Sequence, residues 1–527
     1  MSALGSLRQL IDLHHDRLRA SVPADRDAAV LAILRARARV TIAPSPNLIT
    51  GQDLHDLGGN KALRLCLEAG GEGGLVPAES VESLERWAET LLTECARLAE
   101  AEMVLGHCET GFMQMAGGES GSFDCWITTK LMPASWRERE DIDWWAKWLA
   151  GRVERDMRAA SSTDDHGMGK RYGELSSARL AAMEYQLGLP PEATLGGCTV
   201  ATYRNVLRCL IARALRGRDK DEQVLVRGRR DLVDEITAEI SLDSGTVSRA
   251  VEALTVDGGN AAWHAAVPAV APAPVVRLGP DRLALSVHGL STEPLFFLAR
   301  ELRRRDAQEY HNVAHFREDA FRDDLYELFR DKRFVTSPAR IKLRRADGDI
   351  HTDIDAAVFD RKTGTLGVFE LKAQDPFARS TDELMRQRDN MLYANRQVSG
   401  VMTWLNRHGG DEILRRFDAR TARTFRVQKV YPFVLGRYLA HFGSGPEPDR
   451  RAAWGTWPQV LRLLDGQPAG GSKSNLIFTL YSSLRKDEPL VRVMSDPEPP
   501  AIEIGDAVVR VYPSYAAYRE RGAGSPG

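Results

Sequence analysis

The sequence predicts a multidomain α+β protein, with a mainly helical N-terminal region leading into an α/β core built on a central mixed sheet. Three observations point there. Long stretches of the first 225 residues repeat apolar side chains at helical spacing. Residues 339–372 hold three runs that alternate as half-buried strands do. Helical patterns flank those runs, at Asn312–Arg330 and Thr381–Gln397. A chain of 527 residues has room for several domains. This reading divides it into 1–225, helical; 226–265, a helix-turn-helix element; 266–445, the α/β core; and 446–527, an extension of helix and strand.

In the first region Ser80–Leu105 and Thr202–Arg216 read as helices, as does the tryptophan-rich run Ile142–Leu149. Clustered tryptophans either pack helices or stack on bases. Gly169-Lys170 lacks the upstream glycine and following Ser/Thr of a phosphate loop. Gly118–Ser122 has the wrong spacing for a nucleophile elbow. Farther on, Asp231–Ile240 is a helical pattern, Ser241–Gly245 a turn and Thr246–Leu254 a second helix. Such a pair either presents Arg249 to DNA or is one of the helical hairpins common in all-α domains. Pro268, Pro272 and Pro274 among alanines mark a linker. Because that linker intervenes, a hairpin over Val275–Ser286 and a helix over Glu293–Arg305 read as the lead-in to the core, not as a wing on the helix pair.

Asn312–Arg330 places Phe321, Leu325, Leu328 and Phe329 on one stripe, with Glu318 on or beside it and Glu327 pointing away. Ala339–Arg345 is the first strand; Thr352–Phe359 and Leu366–Lys372 follow, joined by the turn residues Asp360–Gly364. A helix runs from about Thr381 to Gln397, with Ser380, Thr381 or Asp382 as its cap. Val398–Trp404 and Val430–Leu435 read as further strands. Beyond residue 445 come a Gly/Pro loop, a helix around Trp454–Leu464, a Gly/Ser break at 470–474, another helix and a strand near Ala507–Tyr512. Arg521–Gly527 is expected to be disordered.

Acids are depleted in strands, yet Asp353, Asp355 and Glu370 stand in two consecutive ones. With a side-chain period of two, Asp353 and Asp355 share a face, as do Val368, Glu370 and Lys372. The hairpin would gather acids and a lysine on a polar side whose reverse packs on a core. Two carboxylates with free edges suit a hard divalent cation such as Mg²⁺, which keeps waters and takes phosphate oxygens as further ligands. Such an ion lowers the pKa of a bound water and offsets charge building at phosphorus. An ammonium alongside can orient that water and stabilise the developing anion. The bland alternative is an exposed ion pair on a solvated hairpin, which contributes little.

Asp355, followed by Glu370-Leu371-Lys372 behind the apolar Val368-Phe369, resembles the signature of the PD-(D/E)XK, or restriction-endonuclease-like, nuclease superfamily. No proline precedes Asp355, a departure that many members share. The order helix, three strands, helix, strand is similar to the superfamily's core. The resemblance implies a nuclease acting on DNA with Mg²⁺, for which Mn²⁺ substitutes. It implies that Asp355 and Glu370 hold metal, that Lys372 positions the attacking water, and that Glu318 is the assisting acid carried on the first helix. Glu318 reads equally well as a first-turn glutamate favoured by the helix dipole. Gln387 and Tyr393 resemble the Gln and Tyr that some lineages place beside the metal, and also look like ordinary helix residues. Arg340, Lys342, Arg344, Arg379, Arg386, Arg388 and Arg396 surround the core, as phosphate contacts or as a solvated face. A different reading is a non-catalytic DNA-binding regulator or adaptor with an idle nuclease fold; RNA is a third substrate. By analogy of architecture, the helical extension would suit a bacterial defence protein with partner proteins, and DNA repair is another role within the superfamily. His311, His315 and Glu318 are spaced as zinc ligands can be, without the His-Glu-x-x-His order.

Composition bounds the rest. With 71 basic and 73 acidic residues and a pI near 6.7, a polycationic nucleic-acid coat is excluded, while one local basic cleft is not. No apolar run approaches the ~20 residues of a membrane helix, and Met1–Ala20 lacks the apolar stretch of a signal peptide. Six cysteines without a C-x-x-C pair read as reduced thiols of a cytoplasmic protein.

Overall fold

The computed structural model describes the chain except residues 1, 40–53, 70–80, 118–120, 129–140, 142, 143, 146, 150, 152–154, 156–167, 268–270, 345–349, 377–379, 442–446, 466–474, 488–500, 513 and 523–527. It is a mixed α+β chain with several sheets. Four helices open it: α1 (Ala3–Ala20), α2 (Arg26–Arg39), α3 (Leu54–Ala69) and α4 (Val81–Glu109). Strands β1 (Met113–Gly117) and β2 (Ser122–Ile127) follow, then α5 (Met168–Leu187), the short pair β3 (Thr194–Leu195) and β4 (Cys198–Thr199), and α6 (Val200–Arg218). The expected helices at 80–105 and 202–216 are α4 and α6. The four strands between them, β1 to β4, had no expectation attached. Trp145, from the tryptophan-rich run, is fully buried against Tyr185 and Tyr438, so it packs a core. Among the described residues, no helix is long and apolar enough to cross a membrane.

Next come β5 (Val224–Gly228), α7 (Arg229–Ile240), α8 (Ser244–Ala253), β6 (Thr255–Val256) and α9 (Ala261–Ala265), then β7 (Val275–Arg277) and β8 (Arg282–Ser286). The tight turn between α7 and α8 uses Ser241 in the left-handed region at φ 53°, and Asp243 caps α8 by accepting from the Thr246 N–H at 2.8 Å. Here the sequence reading needs correcting. The β7–β8 hairpin pairs back onto β5 in the order β5-β8-β7-β6, so it belongs with the α7–α8 pair. The supposed linker is equally part of that core: Pro272, Ala273 and Pro274 are buried, and the Ala271 carbonyl accepts from Asn60 Nδ2 at 3.2 Å. Pro268 lies outside the described residues. Alanine and proline signal a spacer only where no neighbour covers them.

Helices α10 (Val287–Ser291), α11 (Pro294–Arg305) and α12 (Ala307–Ala314) lead to α13 (Phe316–Glu327). The expected single helix from 312 to 330 breaks at His315. Beyond it lie β9 (Phe334–Thr336), β10 (Ile341–Arg344), β11 (Ile350–Ile354), β12 (Ala356–Asp360) and β13 (Thr365–Lys372). Then come α14 (Thr381–His408), α15 (Gly410–Phe417), α16 (Ala419–Thr424), β14 (Lys429–Gly436) and β15 (Ala453–Thr456). The main sheet has the order β15-β14-β13-β12-β9, with β13, β14 and β15 parallel and β12 antiparallel to both its neighbours. β10 and β11 form a separate ribbon.

Three expectations fail in this body. The hairpin has no polar face: Ala356, Val358 and Phe369 pack in one core, while Ala357, Phe359 and Val368 pack in the opposite one. Parallel neighbours bring helices to both faces of a sheet, and the strands then read as near-continuous apolar runs. Val398–Trp404 is not a strand but the last third of α14, a 28-residue helix opened by a Ser380–Glu383 capping box. Its Val398, Val401, Trp404 and Leu405 are buried at helical spacing, so packing overrides the strand-like local composition. Trp454 lies in β15, and the expected helix starts after it as α17 (Trp457–Asp465). Helix α18 (Leu476–Lys486) follows; the 470–474 break and residues 523–527 lie outside the described residues.

Finally β16 (Ala501–Ile504) and β17 (Ala507–Tyr512) return to the first body, and α19 (Tyr515–Gly522) ends the described chain. β17 runs parallel to β2, with Val508 opposite Ser122, giving the sheet β1-β2-β17-β16. The hydrophobic cores thus partition the chain differently from the divisions at 225, 265 and 445. One core takes residues 7–313 and 502–511, and the clusters about the main sheet take 321–484 with Trp145 and Leu149.

Candidate functional site

The site lies where the chain changes sheets. Ile354 pairs with Ile341 in the β10–β11 ribbon, whereas Ala356 pairs with Phe369 in the main sheet. Asp355 stands at the fork, and the β12–β13 register carried one step further sets it opposite Glu370. Its N–H donates to the Phe369 carbonyl at 3.1 Å, and its Oδ2 accepts from the Leu371 N–H at 2.8 Å. The carboxylate is therefore fixed by backbone on one side, leaving Oδ1 for other partners. The sequence reading put Asp355 within a strand; its place at a junction is what takes it out of both cores.

Four carboxylates and two cations share this fork. Lys372 Nζ lies 2.5 Å from Glu370 Oε1 and 3.1 Å from Gln397 Oε1. The other end of the Gln397 amide donates to Asp353 Oδ1 at 3.0 Å. Arg340 faces three acids: its Nη2 is 2.5 Å from Glu318 Oε2, its Nη1 3.3 Å from Asp353 Oδ2 and its Nε 3.0 Å from Asp355 Oδ1. Asp355 and Glu370 are buried, whereas 43% of the Arg340 side chain is exposed. The exposed Tyr393 ring stands 5.3 Å from Lys372 Nζ at the rim.

Charge explains the protonation of the cluster. Burial, and then the Asp355 charge, lifts Glu370 well above the usual carboxylate range. The same two causes lift Glu318. Burial pulls Lys372 down, but Glu370 beside it wins and holds the ammonium above its ordinary value. All three shifts point upward because the fork holds more acids than cations.

The four residues proposed as catalytic, Asp355, Glu370, Lys372 and Glu318, thus converge in one cluster, with the partly exposed Arg340 paired to its acids. Lys342 and Arg344 point outward from β10, away from its buried Ile341 and Leu343. Gln387 is buried and donates to the Asp375 carbonyl at 3.4 Å, which supports the chain beyond Lys372 rather than touching it. Arg249 is exposed on α8 and donates to Thr246 Oγ1, in the other body. Arg345 and Arg379 lie outside the described residues. The rings of His311 and His315 meet edge to face, centroids 4.9 Å apart. Among the described residues, no three His, Cys, Asp or Glu side chains are gathered about one point as a metal site. A guanidinium stands between the acids instead.

No protein-family model, curated protein or solved structure matches the chain.

Two members of the cluster were absent from the sequence reading of the site. Asp353 was placed on the right face without a role. Gln397 was passed over, although it lies one helical turn after Tyr393, the spacing that puts two side chains on one helix face.

Proposed function

We propose that the chain is a divalent-metal-dependent nuclease with a restriction-endonuclease-like core that hydrolyses phosphodiester bonds in DNA, with Mg²⁺ as its metal and Mn²⁺ as a substitute. The observation that carries this reading is the opposition of Asp355 and Glu370 across two strands with Lys372 Nζ against the second acid. The donor set is all carboxylate oxygen, which suits a hard cation. A positive group already lies between Glu318, Asp353 and Asp355, so the position accepts a cation.

When bound, the metal lowers the pKa of a coordinated water and offsets charge on the phosphoryl oxygens. Asp355 and Glu370 would hold it, Asp355 aimed by the Leu371 N–H. Lys372, charged and tethered by Gln397, donates to the attacking water and then to the oxyanion. Glu318 supplies a further oxygen at the cluster's edge. A bacterial defence or repair role, in the cytoplasm and with partner proteins, would suit so large an extension.

A second reading, a DNA-binding regulator with an idle nuclease fold, draws on the α7–α8 pair and its β5-β8-β7 sheet. One experiment separates the two. Purified protein with Mg²⁺ or Mn²⁺ is expected to cut DNA, and Asp355→Asn or Lys372→Met to slow cutting by roughly 10²–10³-fold or more. Asp355→Asn keeps an acceptor for Leu371, so the melting temperature should hardly move. Cutting that persists in both variants refutes the hydrolytic reading; salt-sensitive duplex binding without any cutting supports the regulator.

A further inference from the structure

Three of the fork's four acids meet a single arginine, while the fourth, Glu370, pairs with Lys372. Arg340 draws its partners from three elements: Glu318 from α13, Asp353 from β11 and Asp355 from the junction of β11 and β12. Its three nitrogens lie 2.5–3.3 Å from three separate carboxylates. Arg340 therefore occupies the space between those oxygens and offsets their mutual repulsion. A divalent ion drawing on the same oxygens needs that space, and two cations there would repel each other.

The side chain is also built to leave. Arg340 precedes β10 in irregular backbone, after the exposed Pro338 and Ala339, so a swing of its side chain breaks no ladder bond. Its partners differ in this respect. Asp355 is held by the Leu371 N–H and Asp353 by the Gln397 amide, so these two acids keep their anchors when the arginine goes.

We propose that Arg340 is an internal counter-cation that keeps the carboxylates apart from a metal until a divalent ion displaces it to the solvent side. The proposal rests on the hydrolytic reading of this site and concerns its loading. Metal affinity is then set by a competition within the chain. The bound metal and the Arg340 ion pairs exclude one another.

The test is Mn²⁺ binding to the full chain without nucleic acid, followed by calorimetry at low salt. Arg340→Gln is expected to tighten binding roughly tenfold, the equivalent of about 1.4 kcal/mol. Arg340→Lys, which cannot reach three carboxylates at once, should fall between that and the natural chain. The gain should vanish when Asp355→Asn is added. Metal-free Arg340→Gln should melt earlier than the natural chain and recover with Mn²⁺. If Arg340→Gln does not fold, Arg340→Lys tests the same direction. Unchanged or weaker Mn²⁺ binding by the variants overturns the role of Arg340 and leaves the hydrolase intact. An absence of Mn²⁺ binding in every protein overturns both.

Discussion

Gln397 holds Lys372 with its carbonyl and Asp353 with its amide, so one neutral side chain sets the spacing between the ammonium and the acids. It is a positioning residue rather than a catalytic one. Gln397→Ala should lower kcat by roughly ten- to a hundredfold while KM and Mn²⁺ affinity change little. Equal losses in all three would mean that the substitution merely loosens the fold. The raised carboxylates make a second prediction. A group lifted in the folded state contributes stability below its unfolded pKa and loses it as pH rises through the folded value. Metal affinity carries the opposite sign, because the ion requires Glu370 and Glu318 deprotonated. Mn²⁺ binding should therefore strengthen with pH up to those raised values and release protons, read by calorimetry in two buffers of different ionisation heat. Binding that is flat in pH, with no proton released, contradicts this protonation. At this scale Asp355, Glu370 and Lys372 stood out because charged residues are unusual in strands flanked by aliphatics, and Glu318 because the superfamily resemblance implies an acid on the first helix. Gln397 did not, since its partner Asp353 is 44 residues away and nothing local marks the pair.

Elements were legible where one neighbour decides them and illegible where several do. The helix start and the turn over Asp360–Gly364 are local: of the three cap candidates the sequence offers, Ser380 is the cap, and the turn ends at Gly364 with φ 63°. Val398–Trp404 was misread because a valine-rich stretch suits a strand, whereas packing against the main sheet requires it to continue α14. Thr352 lies 3.3 Å from where a Cβ on Gly400 would sit, so the glycine lets the helix approach β11. The β7–β8 hairpin was misassigned for the opposite reason: its partner β5 pairs across the chain, Val224 with Ser286 and Gly228 with Arg282, and is invisible to local reading. Long-range pairing corrected the topology of that body, turning a lead-in into the sheet beneath a helix pair.

Across the whole molecule, α11 joins the two bodies. Its Glu301 is fully buried and bonded to His264 at 3.0 Å and to Arg304 and Arg305, on the side of the α7–α8 body. Immediately before it, the buried Arg300 reaches Glu383 at the start of α14 at 2.9 Å, and Arg303 reaches Asp375 at 3.1 Å, three residues beyond Lys372. Removing one partner of a buried ion pair leaves the other uncompensated. Arg300→Ala should thus cost about 3 kcal/mol in chemical denaturation. A cost below about 1 kcal/mol would show that Arg303 alone satisfies Glu383. The return of β17 to β2 adds a second tie, between ends of the chain 386 positions apart in the Val508–Ser122 pair.

The amino-acid order by itself determined the mixed α+β class, the long helices and the strand pair around Asp360–Gly364, because each follows from spacing and turn propensity over a few neighbours. Tertiary structure alone decided that the hairpin is buried on both faces, that Asp355 sits at a fork between two sheets, and that Arg340 lies among the acids. Those outcomes depend on which distant segments cover a strand and which charges burial forces together, and neither is a property of any short stretch of chain.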